Sequence, residues 1–438
     1  MIEEVLHPAN LMKAYKQVVR NKGAAGVDGM QVKELYDYWQ IHRERIKESI
    51  RSCSYLPQPI RGVEIPKSNG KKRLLGVPTV VDRMLQQAVG QVLCNHYDMD
   101  FEDNSYGFRP GRSAHQAVVR SLGYINSGHI HIVDIDLKTF FDEVDHSLLL
   151  QILYRKVKSR QVMRLIRKWL RAPILINGEL IKRRKGVPQG SPLSPTLSNI
   201  MLDELDKELA RMGVKFVRYA DDFSIYCKEE RQAREVQAKI YDYLREKLHL
   251  PINEEKSGIR VPEEFTILGY SFICTINDSG EREYQLTVSA KRWKSFKEKL
   301  KEVTRKTKPY TFDRRMTMLK EMQSGWLQYF RLARIRGRIR DLDGWVRSRI
   351  RVCIWHSWKV PKCRRKSLTR MGVKPDLARK WSHTRVGSWA AAHSPILKMT
   401  ITIDRLKRRG YVAMSTVYES ISPYLNEPLY TRPVRTVV

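Results

Sequence analysis

Carboxylates are scarce in this chain: its 438 residues hold 47 aspartates and glutamates against 81 lysines and arginines, a formal net charge of +34. The excess runs along the length instead of collecting in a tail, and it exceeds what solubility requires. The expected partner is a polyanion. Cysteine is scarce too. Cys53, Cys94, Cys227, Cys274, Cys353 and Cys363 are scattered, with no Cys-x-x-Cys pair and no nearby paired histidines. That pattern excludes zinc-finger binding and a zinc-stapled nuclease domain, and leaves small, reduced, partly buried residues. No apolar run approaches the length of a membrane span, and Met1-Ile2-Glu3-Glu4-Val5-Leu6-His7-Pro8 is unlike a signal peptide, so the expected setting is the cytoplasm, with no membrane partner. The 42% hydrophobic content excludes wholesale disorder and, at this length, allows two or three domains with cores of their own.

Helical spacing over 11–20 leads into a glycine-rich stretch, 21–29, which lacks the Lys-Ser or Lys-Thr ending of a phosphate-binding loop and reads as a flexible connector. A second helix covers 31–51. Two short apolar runs at 63–67 and 71–78, joined through Ser68-Asn69-Gly70, make a hairpin bearing Lys67, Lys71, Lys72 and Arg73. Such cations either deter edge pairing or clamp a triphosphate. A helix over 82–96 precedes Ser105-Tyr106-Gly107-Phe108-Arg109-Pro110-Gly111-Arg112-Ser113, turn chemistry with arginines at the entrance of a helix starting at Ala114. It fits a backbone-phosphate contact and a structural turn equally well. Residues 147–170 read as helical scaffold with a basic face, and 174–181 as another hairpin.

Three stretches carry acids or close-approach loops. The apolar strand 130–137 contains Asp134 and Asp136, which a two-residue period puts on one face. Residues 186–195, Gly186-Val187-Pro188-Gln189-Gly190-Ser191-Pro192-Leu193-Ser194-Pro195, form a stiff loop whose glycines would let a base or sugar approach the backbone, ahead of a helix from about Thr196. Tyr219-Ala220-Asp221-Asp222 sits between the β-prone runs 216–217 and 223–227 and reads as a hairpin tip presenting two carboxylates. An ordinary turn would need no more than that, but adjacent acids at the ends of buried strands call for a compensating cation. With Asp136 upstream, the set matches two-metal phosphoryl transfer. A helix over 230–248 and a strand pair within 265–272 follow. After about residue 286 the pattern is mainly α, with apolar stripes that read as core, while 331–340 holds five arginines and no acid, a nucleic-acid-binding face.

Taken together, Ile65-Pro66-Lys67 to Arg73, Tyr106 to Ser113, Asp136 with Phe141, Pro188-Gln189-Gly190, Tyr219 to Asp222, Asn253 to Lys256, Leu268-Gly269, Gly325 to Phe330 and Trp355 to Lys359 stand in the order of one family. Over nearly its whole length the sequence resembles the group II intron-encoded reverse transcriptases and maturases, and most of all the short forms that lack an endonuclease domain. The resemblance implies an α+β right-hand polymerase, with fingers and a palm built on an antiparallel sheet over 1–285, a helical thumb or maturase domain over 286–375, and a basic nucleic-acid-binding extension over 376–438.

It also implies roles. Asp136, Asp221 and Asp222, with the Leu137 carbonyl, would bind two Mg²⁺ ions, for which Mn²⁺ could substitute. Lys67 and Arg73 would hold the incoming dNTP, Phe141 would lie under the deoxyribose and block a 2′-hydroxyl, and Gln189 and Gly190 would border the nascent base pair. Lys256 would be the acid for the departing pyrophosphate. Arg109, Arg112, Arg331, Arg334, Arg336, Arg338 and Arg340 are the candidate nucleic-acid contacts. The implied partners are intron RNA and RNA template, a DNA primer or target, and dNTPs, with the protein a monomer or dimer. The implied function is RNA-directed DNA synthesis together with splicing and mobility of the parent intron. The alternatives are an RNA-binding splicing factor whose polymerase site has decayed, which the intact carboxylate set opposes, and a host-adopted enzyme of DNA repair or defence.

Overall fold

Residues on either side of 67–71 pair as the antiparallel strands β1 (Ile60–Pro66) and β2 (Lys72–Val77). The computed structural model describes residues 1–66, 70, 72–277 and 279–423, so Lys67, Ser68, Asn69 and Lys71 lie outside the described residues. After β3 (His131–Ile135) come β4 (Ile174–Ile176) and β5 (Glu179–Ile181). These two close through Asn177 and Gly178, both at positive φ (50° and 90°), the conformation of the tight hairpin turn that Asn-Gly favours. β4 also runs parallel to β1, giving a sheet of order β2-β1-β4-β5.

The second sheet is antiparallel throughout. β6 (Lys215–Tyr219), β7 (Asp222–Cys227), β3 and β8 (Gly258–Arg260) lie in the order β6-β7-β3-β8. Apolar residues from this sheet, including Val133, Ile135, Phe216, Phe223 and Ile225, join one core with the helices Val80–Tyr97 and Ser194–Arg211. The first of these helices is buried on nearly every side, Asp82 included. That carboxylate accepts from Tyr55 Oη (2.9 Å), Trp169 Nε1 (2.8 Å), Thr79 Oγ1 (2.9 Å) and the Gln58 amide (3.2 Å). A buried acid is tolerated when its lone pairs are filled in this way.

Two details depart from the sequence reading. The helical stretch 147–170 is two helices, His146–Lys156 and Arg160–Arg171, with Asp145 and Ser159 as their N-caps. Apolar periodicity continues across the break, and only the second cap residue marks it. The glycine-rich stretch is not a loose connector. Its Ala24 and Ala25 carbonyls accept from Arg83 (2.7 Å) and Arg61 (3.3 Å), and a Cβ on Gly26 would lie 2.7 Å from Thr79 Cα.

The chain divides into two compact units, Met1–Val261 and a second that begins at Pro262. The second opens with a sheet of β9 (Thr266–Ile267), β10 (Tyr270–Ile276) and β11 (Arg282–Val288), of which β11 was not foreseen. Helices Ala290–Val303, Phe312–Tyr329 and Arg336–Ser357 follow, joined by aromatic packing such as Trp326 on Phe296 (ring centroids 4.1 Å apart, planes at 5°). The segment after residue 375, read as an extension, folds into short helices as far as Ile421. Buried Asp343 accepts from Tyr411 Oη (3.0 Å) and from the Met414 and Ser415 amides (each 2.9 Å), which anchors the helix Met414–Ile421. Among the described residues no helix is long and apolar enough to cross a membrane.

Candidate active site

Strands β6 and β7 pair from Lys215↔Tyr226 to Tyr219↔Asp222, leaving only Ala220 and Asp221 to turn the chain. Ala220 takes a positive φ of 60°, which a small side chain tolerates at modest cost. Arg218 supports the turn from beneath. It is fully buried, forms an ion pair with equally buried Asp206, and donates from Nη1 to Asn199 Oδ1 and to the Ala220 carbonyl, both at 3.0 Å. Asn199 in turn donates to the Gly107 carbonyl (2.7 Å), and the Tyr106 amide donates to the Arg218 carbonyl (2.9 Å). A Cβ on Gly107 would stand 2.2 Å from the Ala220 nitrogen, so only glycine lets this loop lie against the turn.

The register of β3 on β7 ends at Ile135↔Phe223, which sets Asp136 across from Asp222 at the next step. Asp136 is held from the other side by the 251–257 loop. Its Oδ2 accepts from Asn253 Nδ2 (2.9 Å) and Lys256 Nζ (3.1 Å), its amide and the Ser257 hydroxyl lie 3.0 Å apart, and its carbonyl accepts from the Asn253 amide (2.8 Å). Leu137 bridges to Ile252 in the same loop. Asp134, expected to share the face of Asp136, pairs with Arg260 at 3.1 Å.

The electrostatics follow from this crowding. Burial, then the charges of Asp221, Asp136 and Asp134, push the Asp222 carboxyl up to about 6, against the pull of Lys256. Burial also raises Asp221, opposed by Arg73, and raises Asp134, opposed by Arg260. Like charges held together in this way are relieved by a cation. Lys256 supplies one for Asp136, and among the described residues no three acidic, histidine or cysteine side chains converge as a finished metal cage. The donor set fits Mg²⁺ in kind: hard carboxylate oxygens at adjoining strand ends, mutually repelling.

The 186–190 loop joins the other expected residues. The Val187 amide donates to the Phe141 carbonyl (2.6 Å), the Gly76 amide to the Gln189 carbonyl (2.7 Å), and Arg73 Nε to Gln189 Oε1. Gly190, at φ +116°, approaches so closely that a Cβ would lie 2.7 Å from the Gly76 oxygen. The ring of Phe141 is half-buried and set edge-on to buried Phe140 (5.3 Å, 71°). Arg73, Phe141, Gln189 and Gly190 are therefore linked through one loop, while Lys67 lies outside the described residues.

The candidate nucleic-acid arginines have varied surroundings. Arg109 is 7% exposed, pairs with Asp98 (2.7 Å) and donates to the carbonyls of Glu102, Ser105 and Asp98, which is the structural-turn alternative. Arg112 reaches Asp103 at 2.6 Å. In the second unit Arg336 and Arg340 both meet Glu419, at 3.2 and 3.5 Å, and the Arg338 guanidinium lies 4.2 Å from the Trp293 ring centre. Arg331 and Arg334 are half-buried beside the start of the Arg336–Ser357 helix. Sequence reasoning missed Arg218, Asp206, Asn199 and Ser257. Arg218 directly precedes the Tyr-Ala-Asp-Asp string, and that adjacency was the available signal.

Comparison with known proteins bears on this geometry. Residues 65–272 match the family model for reverse transcriptase (RNA-dependent DNA polymerase), and residues 293–372 match that for the group II intron maturase-specific domain. The protein YkfC of Escherichia coli K12 is 30% identical over 337 residues, covering 68% of this chain and 88% of that protein. The group II intron-encoded protein LtrA of Lactococcus lactis is 38% identical over 215 residues, 49% of this chain but only 36% of LtrA. A chain of the partial Cas6-RT-Cas1–Cas2 complex aligns with 27% identity and a TM-score of 0.36, over 56% of this chain and 41% of that one.

Proposed function

This chain belongs to the group II intron-encoded reverse transcriptases and maturases and is an RNA-directed DNA polymerase, and from that premise we propose that it copies RNA by adding dNTPs to a primer 3′-hydroxyl at the Asp136, Asp221 and Asp222 site. The observation that carries the proposal is the register that brings Asp136 opposite Asp222 beside a two-residue turn holding Asp221. Asp136, Asp221, Asp222 and the Leu137 carbonyl would hold two Mg²⁺ ions. Bound there, such ions would activate the primer hydroxyl and neutralise charge on the leaving pyrophosphate.

The protein's own groups do the positioning. Arg73, kept near the carboxylates by Gln189, offers a guanidinium to the triphosphate of the incoming nucleotide. Phe141, braced by Phe140, presents a ring where a 2′-hydroxyl would otherwise fit. Lys256 pairs with Asp136 and, freed from it, would give a proton to the departing pyrophosphate. The basic second unit binds intron RNA, so that splicing and mobility of the parent intron join polymerisation in one cytoplasmic ribonucleoprotein.

Primer extension on an RNA template with Mg²⁺, run beside a splicing assay, tests this reading. Asp221→Ala with Asp222→Ala is expected to abolish extension and leave RNA affinity within about threefold of wild type. Extension that survives in the double variant would sink the assignment.

A further inference from the structure

The second unit contains a cavity of about 820 Å³, within the ~300–1,000 Å³ range of ligand sites. No residue of the carboxylate site lines it. The wall holds three lysines and five arginines and no carboxylate. Two of these arginines are structural. Arg315 is 4% exposed and donates to the Arg305 and Lys308 carbonyls, both at 3.3 Å, and Arg405 donates to the Met371 (3.0 Å) and Thr400 (2.8 Å) carbonyls. They shape the wall by capping backbone.

Four others, Lys306, Lys359, Arg370 and Arg408, are exposed around the rim and have no carboxylate partner among the described residues. Burying or concentrating cations without acids is unfavourable unless an anion joins them. Between the cations stand half-buried Tyr310, Phe312 and Trp358. The Arg409 guanidinium lies 3.9 Å from the Phe312 ring centre, and that of Arg315 lies 5.6 Å from Tyr310. The remaining two cations of the wall, Lys308 and Arg409, pair with Glu302 (2.8 Å) and Asp313 (3.9 Å). Four cations without carboxylate partners beside aromatic faces are the chemistry that takes single-stranded nucleic acid, with phosphates on the rim and a base on a ring.

We infer that this cavity is a binding site for an unstacked nucleotide of single-stranded RNA, its base against Tyr310, Phe312 or Trp358 and its flanking phosphates on the rim cations. The choice of RNA rests on the proposed maturase role. The hydroxyls of Thr307 and Ser357 on the same wall can meet a 2′-hydroxyl.

The test uses the full chain and an unstructured RNA 12-mer carrying a single 5-iodouridine. In the wild-type protein, the cross-link is expected on a peptide containing Tyr310, Phe312 or Trp358. Lys359→Ala/Arg370→Ala/Arg408→Ala is expected to weaken binding at least tenfold near 0.1 M salt and to make the slope of log K against log salt shallower by about 2. Unchanged affinity and slope, or cross-links confined to other peptides, would overturn the site. Equal binding and cross-linking of the matching DNA 12-mer would overturn the assignment to RNA. Wild-type primer extension in the same preparation tests the polymerase reading separately, because its failure leaves the cross-link map standing and the reverse holds as well.

Discussion

Arg218 and Ala220 stand two residues apart, and the guanidinium of the first donates to the carbonyl of the second at 3.0 Å. The same guanidinium is paired with Asp206, and both side chains are completely buried. One arginine thus fixes the backbone of the turn that carries Asp221 and ties it to the helix Ser194–Arg211. Arg218→Ala would strand a buried carboxylate, a change that costs about 3–5 kcal/mol. The expected result is a large fall in melting temperature. Arg218→Lys keeps the charge but cannot reproduce the fork of bonds to Asp206, Asn199 and Ala220, so primer extension is expected to fall at least tenfold with a smaller loss in melting temperature. Calorimetry beside extension kinetics checks both. A lysine variant that extends at the wild-type rate would remove Arg218 from the positioning role.

Phe141 gives a test of sugar selection. Its ring is held edge-on to Phe140, and its carbonyl accepts from Val187 at 2.6 Å, so the backbone should survive truncation. Phe141→Ala is expected to raise incorporation of rNTPs relative to dNTPs at least tenfold, measured by extension with each nucleotide set alone. An unchanged ratio would mean that the ring does not face the sugar.

Much of this site was legible because its signals are local. A Tyr-Ala-Asp-Asp string between β-prone runs gave the hairpin, and Pro188-Gln189-Gly190 gave a close-approach loop. Others were hidden because the same residue type serves opposite ends. Arg109 and Arg112 look alike in sequence, yet Arg109 is 7% exposed and spent on carbonyls and Asp98, while Arg112 meets Asp103 near the surface. The partners of Arg218 are Asp206 and Asn199, on a helix that precedes it in the chain, and only the folded chain brings them together. Asp343 stood out by no local signal, and its partners Tyr411, Met414 and Ser415 lie about 70 residues further on, so only the folded chain shows that it holds part of the 376–438 stretch.

Gly190 makes a backbone prediction. At φ +116°, with a Cβ position 2.7 Å from the Gly76 oxygen, an alanine there meets both an unfavourable backbone conformation and a backbone clash. Strain of this kind costs ~1–3 kcal/mol. Because Gln189 is held by the Gly76 amide, the loop would move away from β2 and take Gln189 from Arg73. Gly190→Ala is therefore expected to raise the KM for dNTP more than it lowers RNA affinity. Steady-state extension kinetics and RNA titration separate the two, and a pure loss of RNA binding would count against the linkage.

His146 supplies a pH dependence. It is 5% exposed, with Nε2 2.7 Å from the Gly186 carbonyl, the first residue of the same loop, and among the described residues Nδ1 has no partner. Burial, opposed by the bond to Gly186 and reinforced by Arg183 and Arg171, holds the imidazole below its ordinary range. The folded pKa thus lies under the unfolded value of about 6.5. The unfolded chain binds the proton first, so the stability this histidine contributes is whole above about pH 6.5 and declines as the pH falls toward the folded pKa. His146→Gln keeps a donor for Gly186 and removes the titration. Between pH 7.5 and 5.5 the melting temperature of the wild type is expected to fall further than that of the variant, and parallel curves would show that the imidazole does not titrate on unfolding.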